Sequence, residues 1–226
     1  MLTRRHFIQT SAALFSAPLV SAPFAAPALA ERTSDSSMWD SWDRQVTPMD
    51  YDMHTSNPWG LQSRFLPVQV EAKSGVRPGS IHVDAVARYL YHVKSDGTAM
   101  RYGVAIAKGN LYEPGVYNVR RKSKWPSWTP TPAMNEREPD TYSQFEDGMP
   151  GGPKNPLGSR ALYLYQGNRD TYLRIHGTPH PGSVGGRASS GCVRMVMAHI
   201  IGLYEEVDPG VTAYLYPPED RITAAS

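Results

Sequence analysis

The only cysteine of the chain, Cys192, lies in a Ser-Ser-Gly loop rather than in an apolar run. His176 precedes it at the end of a predicted strand, which would hold the imidazole rigidly near that loop. A thiol needs a neighbouring base to be a good nucleophile at neutral pH, and histidine is the usual one. Gly191 would let a substrate carbonyl approach the backbone amides closely, as an oxyanion hole requires. These residues predict catalysis by a thiol, with a buried and inert cysteine as the alternative.

A short helix is predicted soon after this loop. Apolar side chains recur at i, i+3, i+4 and i+7 from Ile200 to Val207, which indicates a helix over 197–207. The sequence places Cys192 just before this helix, where unpaired N–H groups and the helix dipole would favour a thiolate.

Two other chemistries fit the residues less well. His176 and His180 are four positions apart, and Cys192 could be a third zinc ligand, but two histidines at that spacing share a face only on a helix. The glycines and prolines between 177 and 182 make a helix there unlikely. A papain-like peptidase is disfavoured because its cysteine precedes its histidine. We therefore expect neither a metal nor another cofactor.

The elements that must position these residues are mainly strands. Runs rich in Val, Ile, Tyr and Leu suit a pleated, half-buried surface. They occur at 65–70, 81–83, 88–93, 101–107, 115–119, 161–165, 172–176 and 212–216. With only the one good helix candidate, the sequence predicts a mainly β domain.

A long segment between Arg120 and Pro156 is rich in Pro, Trp and Gly and is predicted to form a lid. Trp125 and Trp128 favour an ordered segment, because large aromatic side chains need something to pack on. Contact with a substrate and simple capping of the sheet remain equally open for this pair.

The first 30 residues carry Arg4 and Arg5 and no acidic residue, followed by a short apolar stretch and Ala28-Leu29-Ala30. This pattern predicts a twin-arginine signal peptide that is cleaved after Ala30, and hence export to a bacterial periplasm. The apolar stretch is too short, and too often interrupted by proline, for a membrane span, and no later segment reaches that length. Residues 31–64 are polar without a sustained period, which predicts a linker or a loosely ordered arm.

Composition narrows the classes further. The 226 residues include 23 Lys and Arg against 21 Asp and Glu, and the small excess lies in the leader. This balance argues against a nucleic-acid binder that relies on a basic surface. A single cysteine excludes an intrachain disulfide and a cysteine-rich zinc site. The length beyond the leader suits one substantial core.

The chemistry-bearing stretch resembles the signature of the bacterial L,D-transpeptidase catalytic-domain family. The similar motifs are His-Gly-Thr at 176–178, Pro181, Ser-Val-Gly at 183–185, Ser-Ser-Gly-Cys-Val-Arg-Met at 189–195, and the segments 125–130 and 151–158. The resemblance covers roughly residues 66–216, with a core at 80–216. It implies a compact β-rich fold, a sandwich or barrel, with one short helix after the cysteine.

In this family the enzymes act on the tetrapeptide stems of peptidoglycan. The resemblance implies that Cys192 attacks the carbonyl of the third stem residue, releases D-alanine, and passes the acyl group to an amine acceptor. His176 would be the base, oriented by the carbonyl of Gly177, and amides around Gly191 and Cys192 would bind the oxyanion. Carbapenem-type inhibitors would acylate the same thiol.

Other positions receive less defined roles. Ser189 is expected to shape the turn through its hydroxyl. Ser190 replaces a His or Lys that is frequent in the family, which puts a second basic group in doubt. Arg194 would bind a substrate carboxylate or brace the loop, with a structural salt bridge as the alternative. No side chain at 196–199 is a good helix cap.

Two further functions remain as alternatives. Hydrolysis of the same acyl-enzyme would make the protein an L,D-carboxypeptidase or an amidase. A cell-wall-binding protein on the same fold, with Cys192 inert, belongs to a different class.

Overall fold

The structure is a computed structural model that describes residues 28–222. The predicted signal peptide therefore lies almost wholly outside the described residues. Among them, no helix is both long and apolar enough to cross a membrane.

A nine-stranded mixed sheet organises the domain, and a two-stranded parallel sheet lies beside it. The strands are β1 (Val68–Glu71), β2 (Ile81–Asp84), β3 (Tyr89–Val93), β4 (Thr98–Gly103), β5 (Ile106–Ala107), β6 (Gly115–Lys124), β7 (Arg160–Gln166), β8 (Arg169–Thr178), β9 (Arg187–Ser189), β10 (Val193–Val196) and β11 (Thr212–Leu215). The large sheet has the order β1-β4-β3-β2-β11-β6-β7-β8-β10, and β5 pairs with β9. Its two edges, β1 and β10, do not pair, so the described residues form no closed barrel.

Side-chain burial explains why these segments are strands. In β2, Ile81 and Val83 are buried while the residues between and after them are only half-buried, as expected where one face is more deeply covered. In β7 the first five residues, from Arg160 to Leu164, are all buried, as expected where elements pack on both faces. The prediction of a mainly β domain is confirmed.

Five helices accompany the sheet in the described part of the chain. They are α1 (Ala28–Val46), α2 (Pro132–Arg137), α3 (Pro139–Tyr142), α4 (Met197–Glu206) and α5 (Glu219–Ile222). Helix α4 is the predicted one and ends one residue earlier than expected. It buries Ile200 and Leu203 in the main core and packs on β7 and β8. Its cap residue Val196 makes no side-chain capping bond, as its residue type indicated.

The N-terminal segment differs from the predicted linker or loosely ordered arm over 31–64. Helix α1 runs to Val46, and the Trp42 ring packs edge-on against Trp125 with centroids 5.3 Å apart. Further along, Leu61 and Phe65 are buried in a second apolar cluster together with partly buried Tyr51 and Trp59. A few large side chains make these contacts, which explains why the polar sequence around them shows no period.

The predicted lid segment is more regular than expected. Strand β6 continues to Lys124, and α2, α3 and a 3-10 helix at Ser143–Phe145 follow. The end of β6 was missed because its side chains from Arg120 onward are charged or polar and none of them is buried. Asn155 holds the return to β7, since its side-chain amide donates to the carbonyls of Met149 and Pro150.

Candidate active site

Two neighbouring parallel strands bring the predicted nucleophile and base together. In the pairing of β8 with β10, Arg194 lies opposite His176 and Val193 opposite Ile175. Cys192 directly precedes β10, and both Cys192 and His176 line one cleft of about 970 Å³. The sequence did not predict β10, because four residues between a loop and a helix carry too short a pattern.

Strand β10 also corrects the expected cause of thiol activation. It separates Cys192 from the first residue of α4, Met197, so the cysteine does not lie in the first turn of a helix. The effect of a helix dipole is largely confined to that turn. The prediction that α4 favours a thiolate is therefore wrong.

His176 is buried and has a fixed orientation. Its Nδ1 lies 2.5 Å from the carbonyl oxygen of Gly177, which assigns the ring proton to Nδ1 and leaves the lone pair on Nε2. Burial, with the positive charge of Arg194 as a second cause, lowers the pKa of His176 to about 3. The imidazole is thus neutral at neutral pH and can accept a proton at Nε2.

Close backbone packing fixes the carbonyl that orients the ring. Gly158 has a φ of 63°, and a Cβ on it would come within 2.8 Å of the Gly177 carbonyl carbon. A Cβ on Gly177 itself would lie 3.2 Å from the amide nitrogen of Ser159. Glycine at both positions therefore lets the turn before β7 press against β8 at the histidine.

Cys192 is half-buried, and its Sγ donates to the carbonyl oxygen of Tyr172 at 3.7 Å. Burial raises the pKa of the Cys192 thiol, and a hydrogen bond from the backbone N–H of Arg174 opposes this only in part. Tyr172 has a φ of 60°, an uncommon value for a non-glycine residue, within an irregular stretch of the β7–β8 pairing. The resting site thus holds a protonated thiol and a neutral imidazole in one cleft.

The loop before the cysteine is held by its own serine. Ser189 Oγ bonds to the carbonyl oxygen of Cys192 and accepts a long, 3.4 Å hydrogen bond from the Gly191 amide. Gly191 has a φ of 146°, in the region that favours glycine. These contacts suit the turn-shaping role expected of Ser189.

The lid segment reaches the same loop through one tyrosine. The hydroxyl of Tyr142 lies 2.8 Å from Ser190 Oγ, and the Tyr142 ring packs near Trp128 with centroids 6.2 Å apart. Trp128 also meets Phe145 edge-on at 5.8 Å. All four side chains line the cleft. Sequence reasoning missed Tyr142, since nothing in the local pattern of the insert distinguishes it.

The two tryptophans of the insert have separate roles. Trp128 faces the cleft, whereas Trp125 is only 4% exposed, packs on Trp42 and does not line the cleft. Trp125 therefore joins the lid base to helix α1, and of the two only Trp128 is placed to contact a substrate in the cleft.

Arg194 directs its charge toward the cleft. Its backbone exchanges two 2.9 Å hydrogen bonds with Ala105, which fixes the residue, while its side chain is half-buried and lines the cleft. No carboxylate of residues 28–222 lies within salt-bridge distance of the guanidinium, so the structural salt bridge considered for it is absent from this region. Burial lowers the pKa of Arg194 from its ordinary value.

The zinc alternative gains no support from the geometry. His176 lies within β8 and His180 precedes a 3-10 helix at Pro181–Ser183, so the two do not share a helical face. Within residues 28–222, no group of three or more His, Cys, Asp or Glu side chains is arranged to hold a metal ion.

A mainly β domain that places a cysteine and an oriented histidine in one cleft has the side chains that thiol-based acyl transfer requires. A family model then gives the assignment. The YkuD L,D-transpeptidase catalytic domain matches residues 78–215, and the chain belongs to this family.

A curated relative carries a name that agrees with that assignment. The probable L,D-transpeptidase YbiS of Escherichia coli is 31% identical over 147 residues, which are 64% of this chain and 46% of the relative. The alignment thus spans about half the length of that relative. A crystal structure from Brucella melitensis, described as a probable carnitine operon oxidoreductase, is 46% identical over 67% of this chain and 94% of its own. Its TM-score is 0.48, too low to carry a functional argument.

A solution structure of the catalytic domain of an Enterococcus faecium L,D-transpeptidase, acylated by ertapenem, is also similar. It shares 18% identity over 63% of this chain and 100% of its own, with a TM-score of 0.45. At this level the likeness adds nothing to the family assignment.

Proposed function

We propose that the protein is a periplasmic L,D-transpeptidase that works through a thioester at Cys192. The observation that carries the proposal is the Gly177 carbonyl bonded to His176 Nδ1, which leaves Nε2 as a base in the cleft that also contains the thiol. Family membership supports a peptidoglycan cross-linking enzyme in general. The particular donor, intermediate and acceptor belong to the proposal.

In the first half-reaction, Nε2 of His176 takes the thiol proton as Sγ of Cys192 attacks the carbonyl of the third stem residue. Backbone N–H groups at 191–192 stabilise the tetrahedral oxyanion. The carbon–nitrogen bond to the terminal D-alanine then breaks, and the imidazolium returns the proton to the departing amine. The products are free D-alanine and a thioester on Cys192.

In the second half-reaction, an acceptor amine attacks the thioester and His176 accepts its proton. Collapse of the tetrahedral adduct forms the new amide and expels the thiolate, which regains the proton from the imidazolium. Neither half-reaction requires a metal ion or a redox partner.

Hydrolysis of the thioester remains the second candidate, because water could replace the amine. The contact between Tyr142 and Ser190 supports transfer. It holds the lid against the loop two residues before Cys192, and a covered thioester is less accessible to water.

Export completes the proposal. The paired arginines, the short apolar run and Ala30 support secretion by the twin-arginine route with cleavage after Ala30. Removal of residues 1–30 would leave nearly all of the described chain in the periplasm, where peptidoglycan is located.

The decisive experiment incubates purified protein with tetrapeptide stems and follows the Cys192 peptide by mass spectrometry. We expect an adduct that has lost D-alanine, and a cross-linked product once an acceptor stem is added. Failure of the wild type to form any adduct, with Cys192→Ala behaving identically, would contradict the enzyme. Free tripeptide without a cross-linked product would favour the hydrolase.

The same assay with a carbapenem tests the nucleophile independently. The E. faecium enzyme is acylated by ertapenem, and we propose that this inhibitor class acylates Cys192 here. A mass increase on wild type, absent from Cys192→Ala, is the expected result.

A further inference from the structure

Two consecutive arginines on β6 point to different places because the strand contains a bulge. Val119 pairs with Leu164 and Arg121 with Tyr163, so Arg120 is the extra residue in the ladder. The Arg120 side chain bonds to the carbonyl of Gly167 at 2.9 Å, away from the cleft. Arg121 instead lines the cleft. A bulge changes the direction in which side chains point, and here it places the positively charged Arg121 side chain in the cleft.

Arg121 rests on an aromatic ring and has no anionic partner. Its guanidinium carbon lies 3.4 Å from the centroid of Tyr163. No carboxylate of the described residues 28–222 forms a salt bridge with it. Stacking fixes the plane of the guanidinium while its N–H edge stays available for a carboxylate.

Arg174 contacts the same ring but, unlike Arg121, has an anionic partner. Arg174 lies 4.1 Å from the same Tyr163 ring, but Asp170 binds it with two hydrogen bonds of 2.6 and 2.9 Å. Burial raises the pKa of Asp170, but the hydrogen bonds from Arg174 outweigh this effect and lower it, with the charge of Arg121 as a smaller cause. Because both Asp170 oxygens are engaged by Arg174, the charge of Arg121 remains open to a ligand.

The strand register gives the distance between Arg121 and the nucleophile. Arg121 pairs with Tyr163, Tyr163 with Arg174, and continuing the β8–β10 register by one residue places Cys192 beside Arg174. Neighbouring strands are about 4.8 Å apart, so the row spans roughly 14 Å between backbones. The Arg121 side chain covers part of that distance, because it reaches along the row to the Tyr163 ring. An extended peptide covers about 3.3–3.6 Å per residue. A ligand at Arg121 therefore lies about two or three residues from the attacked carbonyl.

We infer that Arg121 forms an anion subsite for a free carboxylate on the amino-terminal part of the donor peptide. The inference rests on the proposed function. In a tetrapeptide attacked at its third residue, only one residue follows the scissile bond. A carboxylate two or three residues away must consequently lie on the amino-terminal side.

The test compares two donor peptides that differ at one group: a free carboxylate, or its primary amide, on the residue two positions before the attacked one. We expect wild type to form the Cys192 adduct with a kcat/KM about tenfold higher for the free carboxylate, as for loss of one charge-assisted hydrogen bond. Arg121→Gln should lower kcat/KM for the acid and leave the amide unchanged, so that the two donors become equal. Arg121→Lys should keep part of the preference.

Arg120→Gln is the matched control, because it removes the same charge from the adjacent position that does not face the cleft. It should retain the full preference of the wild type. Equal rates for both donors in wild type, or the same loss in Arg120→Gln as in Arg121→Gln, would overturn the subsite. Equal wild-type rates overturn the subsite even if Arg121→Gln fails to fold, and Arg121→Lys then serves as the second variant that ties a preference to this residue.

Two further measurements test the nature of the subsite. The salt dependence distinguishes an ion pair from an uncharged contact, and a comparison of acylation with transfer distinguishes a donor site from an acceptor site. The preference should weaken as salt rises toward about 1 M, because an exposed ion pair is screened. A preference seen only in the transfer step would assign Arg121 to the acceptor and overturn the inference. Absence of any adduct with either donor would instead contradict the proposed function.

Discussion

Burial shifts the pKa values of Cys192 and His176 in opposite directions. It raises the pKa of the Cys192 thiol and lowers the pKa of the His176 imidazole to about 3, because in each case it disfavours the charged form. The pair therefore rests as thiol and neutral imidazole rather than as an ion pair. In the reaction proposed above, the thiolate forms only as Sγ attacks, when the developing oxyanion and the bound substrate stabilise the charge.

This arrangement predicts the pH profile of thiol alkylation. A raised thiol pKa means that the thiolate fraction, and with it the rate of reaction with iodoacetamide, increases with pH up to values above the ordinary cysteine pKa of about 8.5. Denaturant-unfolded protein should titrate at that ordinary value. A rate plateau between about pH 5 and 7, the signature of a preformed thiolate, would contradict the prediction.

His176→Ala separates the two roles of the pair. Alkylation by the small reagent should change little in this variant, because the resting histidine carries no charge. Acylation by a peptide donor should fall by about 10²–10⁴, the usual contribution of a general base. Equal loss of both reactions would indicate that the histidine instead stabilises a resting thiolate.

The proposed nucleophile and base stand out in the sequence because each carries its own signal: the only cysteine of the chain, and a histidine at the end of a predicted strand. Arg121, Tyr142 and Tyr172 carried none. Arg121 depends on a bulge, Tyr142 on how the insert folds back, and Tyr172 contributes its backbone carbonyl rather than its side chain. Such features arise from register and tertiary packing, which local patterns do not encode.

At the scale of elements, the long insert is joined to the catalytic loop at a single hydrogen bond. Tyr142 ends α3, and its hydroxyl meets Ser190 two residues before the nucleophile. Lys108 adds a more exposed anchor to the same segment through a 3.0 Å salt bridge with Glu138. The Tyr142 contact is the one that can influence the geometry of the loop.

Tyr142→Phe removes that hydrogen bond while it keeps the ring. A net hydrogen bond contributes about 0.5–1.5 kcal/mol, so we expect about a two- to tenfold loss in kcat/KM for acylation and a larger share of thioester lost to water. Ser190→Ala should have the same effect, and the double variant should be no worse than either single one. The hydrolysed and transferred products can be counted by mass spectrometry.

Tyr165→Phe provides the control for the lost hydroxyl, because Tyr165 lies on β7 outside the cleft and its hydroxyl has no hydrogen-bond partner among residues 28–222. It should leave the product ratio unchanged. Additive losses in the double variant would mean that Tyr142 and Ser190 act separately.

Elements were predictable where their pattern was long enough. The alternating strands were predicted, and the apolar stripe predicted α4 to within one residue of its observed end. Strands β9 and β10 have three and four residues, too few for a period to show. Helix α1 was missed because its sequence is polar and its contacts come from a few side chains.

At the scale of the whole molecule, the N-terminal segment packs against the domain that carries the candidate site. Trp42 packs on Trp125 at the base of the lid, and the residues around Trp59 cover His199, which is fully buried with neither ring nitrogen hydrogen-bonded among the described residues. Asp43 binds Arg160 on the first position of β7, one residue before Ala161, which pairs with His176. The segment therefore supports both the lid and the strand beside the catalytic histidine.

The ion pair between Asp43 and Arg160 gives the most direct test of this docking. Arg160 is 2% exposed and donates to both Asp43 oxygens at 2.8 and 2.7 Å, while Asp43 is 27% exposed. Removing one partner of a buried pair costs about 3–5 kcal/mol, and the partial exposure of Asp43 reduces our expectation for Asp43→Asn to about 2 kcal/mol. Urea unfolding measures the change.

Glu205→Gln is the matched control, since Glu205 forms a longer, 3.6 Å pair with Lys124, in which the Lys124 side chain is 40% and the Glu205 side chain 57% exposed. Exposed pairs contribute about 0–1 kcal/mol, so this variant should unfold close to wild type. If Asp43→Asn were equally silent, α1 would not be docked in solution. A selective loss at Asp43, together with slower acylation at Cys192, would show that the polar N-terminal helix helps to hold the catalytic strand in place.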